Sequence, residues 1–440
     1  MSNLIKTLAS FLPNDFVFGE SFRRAKKILS AFEASGDKMD FISSYEEEKL
    51  NGALDIAKKA PFYQYLNDGL QFDEIPFINK DIILNSFDDI VISKQASDYV
   101  STGGTSGKPL GFYINKNRKG FEWFWMTNNW AKVGFNLSDY RAVLTNHKLG
   151  GKNYKVDRLL KEYQYNNFSL NDNYLKFITD HINQKELKYL RAYPSAAYML
   201  ANYLRKEKKQ TTLNTFLCGS ENVFKHQKEL IEGVLNIRMY TWYGHSEKVI
   251  LAGESRTCQN YHSNPFYGYT EIIDENNKSI NSIGKVGELV GTGFINTKMP
   301  FIRYKTGDFA EYVGNVCPAC GHIGLTFKNV RGRWQGDVIY KLDGSSITTT
   351  ALNLHSDFYN YIKGLQYYQN QMGKLEVRVV PEYNFSKNIK EKISSELKLK
   401  SGSGLDIDVV EVEAVEYSAI NKFQLLIQKT KNEYNKNSIE

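Results

Sequence analysis

The sequence predicts an α/β protein, a large N-terminal domain with parallel and mixed sheets and helices followed by a small C-terminal α+β domain. Three stretches carry that reading. LNTFLC (213–218) is an apolar run of strand length, GSE is a turn, FKHQKELIEGVL has helical periodicity, and the apolar RMYTWY follows before the chain turns at Gly244. Strand, turn, helix and strand in that order form a βαβ unit, which implies a parallel sheet. Between about 286 and 304, VGELVGTGF and MPFIRY read as β segments separated by a polar turn. After about 335 short strands (KLEVRVVP, LDIDVVEVEAV) alternate with the helix-like NIKEKISSELKLK, so the domains are placed at 1–335 and 336–440.

The remaining elements follow in order. Leu4, Leu8 and Phe11 recur at helical spacing, and without a strongly basic polar face they suit a core-packing helix better than a membrane-surface one. FEWFWMTNNW (121–130) puts Trp123, Phe124, Trp125 and Trp130 on a predicted helix, where aromatic runs more often build core than pocket. RAVLTN reads as a strand ending at Asn146-His147, and loops at strand C-termini carry function in open α/β sheets. Residues 186–208 read as a helix entered near Pro194 and ending in a basic turn.

A chain of 440 residues with 42% hydrophobic and 24% charged side chains is globular, which excludes a disordered or fibrous protein. No stretch approaches the ~20 apolar residues of a membrane span, and MSNLIKTLASFLPNDF is too interrupted for a signal peptide, so a cytoplasmic protein is expected. The net charge of +7 suits an anionic small molecule as well as a nucleic acid. The basic residues are dispersed and no helix carries a Lys/Arg stripe, which argues against a nucleic-acid partner. Four cysteines in a long chain raise the question of metal, not of a disulfide framework.

The sharpest local feature is Ser101-Thr102-Gly103-Gly104-Thr105-Ser106-Gly107-Lys108-Pro109. Its glycines let backbone N–H groups turn toward one point, its hydroxyls add donors and Lys108 adds a charge, a set that suits a polyphosphate. It is not a Walker P-loop, because Thr102 stands at the required first Gly and Pro109 follows the Lys. A surface turn has the same composition.

Other segments decide between these. Tyr243-Gly244-His245-Ser246-Glu247 follows RMYTW, Tyr304-Lys305-Thr306-Gly307-Asp308 follows FIR, and Gly332-Arg333 and Asn421-Lys422 come later. In this order they resemble the core motifs of the adenylate-forming ligases, the acyl-CoA synthetase superfamily. RAYPSAAYMLANYL, PFIRYKTGD followed by CPACG, and YYQNQ resemble its phenylacetate–CoA-ligase-like branch, including the capsular-polysaccharide and O-antigen biosynthesis members. The match runs from about residue 99 to 427.

The resemblance implies that a carboxylic acid attacks the α-phosphate of ATP, and that a thiol, usually that of coenzyme A, then displaces AMP. It assigns Thr102, Gly103, Gly104, Thr105, Ser106, Gly107 and Lys108 to the β- and γ-phosphates. Glu247 would bind Mg²⁺, a hard cation suited to carboxylate and phosphate oxygen. Tyr243, beside Gly244, would stack on adenine, and Ser246 would contact the α-phosphate or the substrate carboxylate. Asp308 would accept both ribose hydroxyls, supported by Arg333, and Gly219, Ser220 and Glu221 would line the adenine site. Lys422, in the mobile small domain, would bridge carboxylate and α-phosphate, and Asp337 would be the hinge. Asn146, His147 and His245 are the candidate walls of the acid pocket. Asn421 where the family has Gly, Lys305 for Arg and Ser246 for Thr are departures from its pattern.

Cys317-Pro318-Ala319-Cys320-Gly321 sets two thiolates on one tight turn, half a tetrahedral zinc site. Cys258 and His262 supply the other half, in a stretch where the branch carries a Cys…His pair, and His322 is the rival fourth ligand. Such a centre is structural, since four protein ligands leave no open position. A redox CxxC is the alternative, but those motifs favour helix N-termini, and CPACGHIG runs into strand-like residues. Cys218 reads as a small buried hydrophobe.

The leading reading is an AMP-forming carboxylate–CoA ligase using ATP, Mg²⁺ and coenzyme A with a structural Zn²⁺; it has no membrane span and allows a homodimer. Its rivals pass the acyl group to an amine or a carrier-protein thiol, or keep only a nucleotide-binding scaffold, or are a basic zinc protein for nucleic acid.

Overall fold

The computed structural model of the protein describes residues 12–101, 110–145, 149–167, 170–219, 225–331, 338–349, 351–352, 354, 358, 361–416 and 425–430. The chain forms two compact units, Met1–Val100 with Phe112–Gly332, and Ser101–Gly111 with Arg333–Glu440. No helix among the described residues is long and apolar enough to cross a membrane.

The large unit is built on a twelve-stranded mixed sheet. Its parallel half carries, side by side, Met239–Gly244, Thr215–Cys218, Tyr189–Ala192, Arg141–Thr145 and Glu162–Asn166, with Tyr154–Asp157 antiparallel at the edge. Every residue of Thr215–Cys218 is buried, the pattern of a strand covered on both faces. Phe216 and Cys218 face the core made with helices Asp172–Gln184, Pro194–Lys206 and Lys225–Leu235, while Leu217 faces Trp130 and Phe135 on the other side. The predicted βαβ unit is thus present, as strands Thr215–Cys218 and Met239–Gly244 around helix Lys225–Leu235. The 121–130 aromatics lie on helix Lys119–Ala131, with Phe124, Trp125 and Trp130 buried in core.

Two local expectations need correction. ELKYLRAY is not helical: Tyr189–Ala192 is a strand, and the helix starts at Pro194, where the missing N–H of proline costs nothing. MPFIRY is not a strand either. The strand runs Tyr304–Val316, and before it Phe301 and Ile302 are buried in succession while Arg303 adopts a left-handed φ of 48°. The cause is tertiary. Arg303 is buried, pairs with Glu271 (Nη2 to Oε1, 2.8 Å), donates to the carbonyls of Asp73 and Ile75, and lies over Phe77, which pins the backbone out of the ladder.

The antiparallel half follows from Met239–Gly244 through Leu251–Gly253, Tyr261–Ser263, Ile323–Arg331, Tyr304–Val316 and Val286–Gly293 to Gly268–Ile273. Two short strands, Ser97–Ser101 and Gly111–Asn115, pair with each other and bracket residues 102–110.

The small unit has a four-stranded sheet in the order Asp406–Glu411, Lys374–Pro381, Ile362–Gln369 and Leu426–Gln428. Helix Lys387–Ser401, capped by the Ser386 hydroxyl, buries Ile393 and Leu397 in the core with the sheet. Gln369 donates to the Tyr340 carbonyl at 2.8 Å and ties the hairpin Val338–Tyr340/Ser346–Thr348 to that sheet.

Candidate active site and metal centre

Two motifs 65 residues apart converge in the large unit. Tyr243 is the next-to-last residue of strand Met239–Gly244 and Asp308 lies in strand Tyr304–Val316, with three strands between them in the sheet. The sheet curls enough for the Tyr243 hydroxyl to donate to Asp308 Oδ2 at 2.8 Å. Burial, helped by the Asp308 charge, holds the Tyr243 phenol well above its ordinary pKa, so it remains a donor. Gly307 takes a φ of 76°, which turns its N–H to Glu288 Oε1 at 3.0 Å, and the Asp308 N–H meets the Thr306 hydroxyl at 3.1 Å.

Glu247 lies in the turn after the same strand, its side chain 12% exposed. Tyr304 donates to its Oε1 at 3.0 Å and His245 Nδ1 to its Oε2 at 3.1 Å. Burial works against the carboxylate, but the His245 hydrogen bond and charge, together with the Tyr304 hydroxyl, more than offset it and hold Glu247 below the usual range. The His245 ring sits 5.9 Å from that of Tyr243 and 6.4 Å from that of Tyr304, so Asp308, Tyr243, His245, Glu247 and Tyr304 form one contiguous polar surface. Lys248, next in sequence, has a left-handed φ of 61° and pairs with Glu122 at 3.4 Å. Ser246 is part-buried in the same turn, and Gly244 is exposed at the end of the strand.

Gly219 closes strand Thr215–Cys218 against the Trp242 indole, where a Cβ would come within 2.4–2.9 Å of three ring atoms. Gly219→Ala is therefore expected to lower stability by about 1–3 kcal/mol through overpacking, read as a fall in thermal midpoint. An unchanged midpoint would mean that the indole yields freely.

Thr102, Gly103, Gly104, Thr105, Ser106, Gly107, Lys108, Asn146, His147, Ser220, Glu221, Arg333, Asp337 and Lys422 lie outside the described residues. So do Leu4, Leu8 and Phe11.

The cysteine cluster is assembled by strand register. His262 pairs with Thr326 across Tyr261–Ser263 and Ile323–Arg331, which brings it to the turn that carries Cys317 and Cys320. Cys258 enters from the segment just before, and one ligand atom each from Cys258, His262, Cys317 and Cys320 lie within 4.8 Å of one another. Cys258 and Cys317 sulfurs are 3.7 Å apart, and Cys320 Sγ is 3.3 Å from His262 Nε2. A tetrahedral ion with Zn–S bonds of ~2.3 Å sets sulfurs about 3.8 Å apart and sulfur and nitrogen about 3.6 Å apart, so the donor set fits zinc. Burial pushes His262 down to about 4, which keeps the imidazole in its neutral, ligating form. Burial opposes the Cys317 thiolate, but the Asn260 amide and the Ala319 and Cys320 N–H groups more than offset it, and the thiol titrates below its ordinary value.

His322, the rival ligand, is not one of the four; its ring stands 4.6 Å from that of His262. Gly321 has a φ of 71° and sends its N–H to the Cys317 carbonyl (2.8 Å), while the sulfur is served by Ala319 and Cys320. Cys218 is fully buried in the parallel sheet. Sequence reasoning gave no role to Tyr304, Asn260, Arg238, Glu254 or Thr241. Asn260, midway between Cys258 and His262, was the one with a spacing signal.

This architecture is the fold of the adenylate-forming ligases. Solved structures of 2-hydroxyisobutyryl-CoA ligase share it. The complex with 2-HIB-AMP and CoA in the thioesterification state has a TM-score of 0.56 at 18% identity, covering 90% of this chain and 93% of that one. The open conformation with the same ligands has a TM-score of 0.51 at 18% identity, covering 89% and 91%. Among curated proteins, Protein CapK of Staphylococcus aureus is 21% identical over 403 residues, 87% of this chain and 86% of CapK. No family model matches the chain.

Proposed function

We propose that the protein is an ATP-dependent, AMP-forming carboxylate ligase that makes an acyl-adenylate and passes the acyl group to coenzyme A. The observation that carries this reading is the contiguous Asp308–Tyr243–His245–Glu247–Tyr304 surface, which gathers the carboxylates of two separate motifs. A substrate carboxylate oxygen bonds to the α-phosphorus, and pyrophosphate leaves with the electrons of the broken P–O bond. The thiolate sulfur then bonds to the acyl carbon and AMP leaves. Asp308 accepts from the ribose hydroxyls, and Tyr243, held by its hydrogen bond to Asp308, supports the adenine. Glu247, kept ionised by its two donors, would hold Mg²⁺, and the ion when bound would supply positive charge beside the phosphates. The 102–108 loop binds the β- and γ-phosphates, Arg333 supports the ribose, and Lys422 bridges carboxylate and α-phosphate.

In this reading Zn²⁺ held by Cys258, His262, Cys317 and Cys320 is structural, and the small unit from about 336 turns between the two half-reactions. In the same reading the protein works in the cytoplasm, and the resemblance of its motifs to the capsular-polysaccharide branch suggests a place in surface-polysaccharide biosynthesis. Carboxylate-dependent exchange of labelled pyrophosphate into ATP, across aryl, hydroxy, amino and short-chain acids, tests the first half-reaction. CoA-dependent AMP release tests the second. Lys422→Ala should lower exchange by about 10²–10³-fold while ATP still binds, the size expected for loss of one donor to the developing charge. An unchanged exchange rate would remove Lys422 from the chemistry.

A further inference from the structure

The metal cluster and the Tyr243–Asp308 pair are joined by one continuous set of contacts. Arg238, just before strand Met239–Gly244, donates through Nη1 to the carbonyls of Ser255 and Arg256 at 2.8 Å each. Its Nη2 donates to the Cys258 carbonyl at 3.1 Å and to Glu254 Oε2. Arg238 thus grips the backbone that delivers Cys258. Glu254, its side chain 5% exposed, accepts with its other oxygen from the Thr241 hydroxyl. Thr241 Oγ1 is also 2.6 Å from the Tyr261 hydroxyl, and Tyr261 directly precedes His262. The Tyr261 ring stacks on Phe327 (5.7 Å between centroids), and Phe327 meets Tyr243 edge-on at 5.9 Å.

A salt bridge serving stability alone would be complete with Arg238 and Glu254. Here the guanidinium is spread over three carbonyls of the metal segment, and the second carboxylate oxygen is committed to the strand that presents Tyr243. Glu254 is the buried member, and a carboxylate in a low-dielectric setting depends on both of its partners, so Arg238, Glu254 and Thr241 are expected to act together. The hydrogen-bonded path therefore runs from the Cys258 carbonyl to Thr241, two residues before Tyr243 in the same strand, and meets at Tyr261 the ring path that reaches Tyr243 through Phe327.

We propose that Arg238, Glu254 and Thr241 are positioning residues that relay the geometry of the Cys258–His262–Cys317–Cys320 centre to Tyr243 and Asp308, so that metal occupancy and adenine-nucleotide affinity are coupled. The proposal rests on the reading of Tyr243 and Asp308 as part of a nucleotide site. Such coupling is reciprocal: whatever factor the metal adds to nucleotide binding, the nucleotide adds to metal binding.

The test uses full-length zinc-loaded protein, AMP as the probe, and the variants Thr241→Val and Glu254→Gln, each alone and combined with Tyr243→Phe. AMP affinity is measured by calorimetry and zinc by elemental analysis. Thr241→Val preserves shape, so it serves if Glu254→Gln does not fold. Both variants should retain about one zinc per chain and bind AMP about tenfold more weakly, and adding Tyr243→Phe should cost less than the product of the separate losses. In chelator competition, saturating AMP should tighten zinc retention about tenfold in the wild type and not in Thr241→Val. Wild-type AMP affinity in both folded variants, or losses that multiply fully with Tyr243→Phe, would overturn the relay. Zinc-loaded wild type that binds no AMP would sink the nucleotide-site reading and the coupling with it.

Discussion

Asp308→Ala is expected to reduce ATP-dependent adenylation by about 10²–10⁴-fold and to lower stability by about 1–3 kcal/mol, read as a fall in thermal midpoint. Hydrogen bonds to a charged group contribute roughly 1.5–3 kcal/mol each, and a carboxylate that takes both ribose hydroxyls loses two of them at once. The stability side follows from the structure. Asp308 is part-buried in a strand whose ladder is made by backbone, so the strand persists, but the Tyr243 phenol, poorly hydrated by burial, loses its acceptor. Asp308→Asn should fall between, because an amide oxygen still accepts from Tyr243 but carries no charge. Tyr243→Phe should cost about tenfold in the ATP concentration dependence and less in the maximal exchange rate. Equal activity in wild type and Asp308→Ala would displace the nucleotide from this surface altogether.

Removing the metal should have the largest effect on stability. Structural zinc sites contribute apparent binding energies of roughly 10–16 kcal/mol, much of it folding energy. The four candidate ligands come from two segments about sixty residues apart, Cys258–His262 and Cys317–Cys320, and three of them are buried. Two sulfurs 3.7 Å apart and a neutral imidazole share a small volume, and an ion held by all four would tie the two segments together. Chelation, or Cys317→Ser, is therefore expected to lower the thermal midpoint by about 10 °C, and elemental analysis of the wild type should give about one zinc per chain. His322→Ala should leave the zinc content intact, since His322 is not among the four residues whose ligand atoms lie within 4.8 Å of one another. Less than about half a zinc per chain in freshly purified wild type, with the full midpoint retained after chelation, would dismiss the metal.

Much of this architecture is readable from the chain alone because it is local. The βαβ unit at 213–244 follows from the change between strand-length apolar runs and helical periodicity, and the helix at 387–401 from its own pattern. Residue chemistry also nominates candidates: a carboxylate after Tyr-Gly, another after Thr-Gly, and a CxxC on a glycine turn each announce what they can bind. What the sequence could not state is which of these meet. Arg303 breaks the predicted strand at 301–303 because Glu271 and the carbonyls of Asp73 and Ile75 claim its side chain from distant segments. His262, and not His322, joins the cysteines because antiparallel register sets it opposite Thr326, beside the Cys317 turn. Tyr243 reaches Asp308 only because the sheet curls across three intervening strands. Local structure depends on side chains a few residues apart, which the sequence states directly; long-range pairing depends on strand order, register and curvature, which are settled by the packing of the whole unit and so appear only in the tertiary structure.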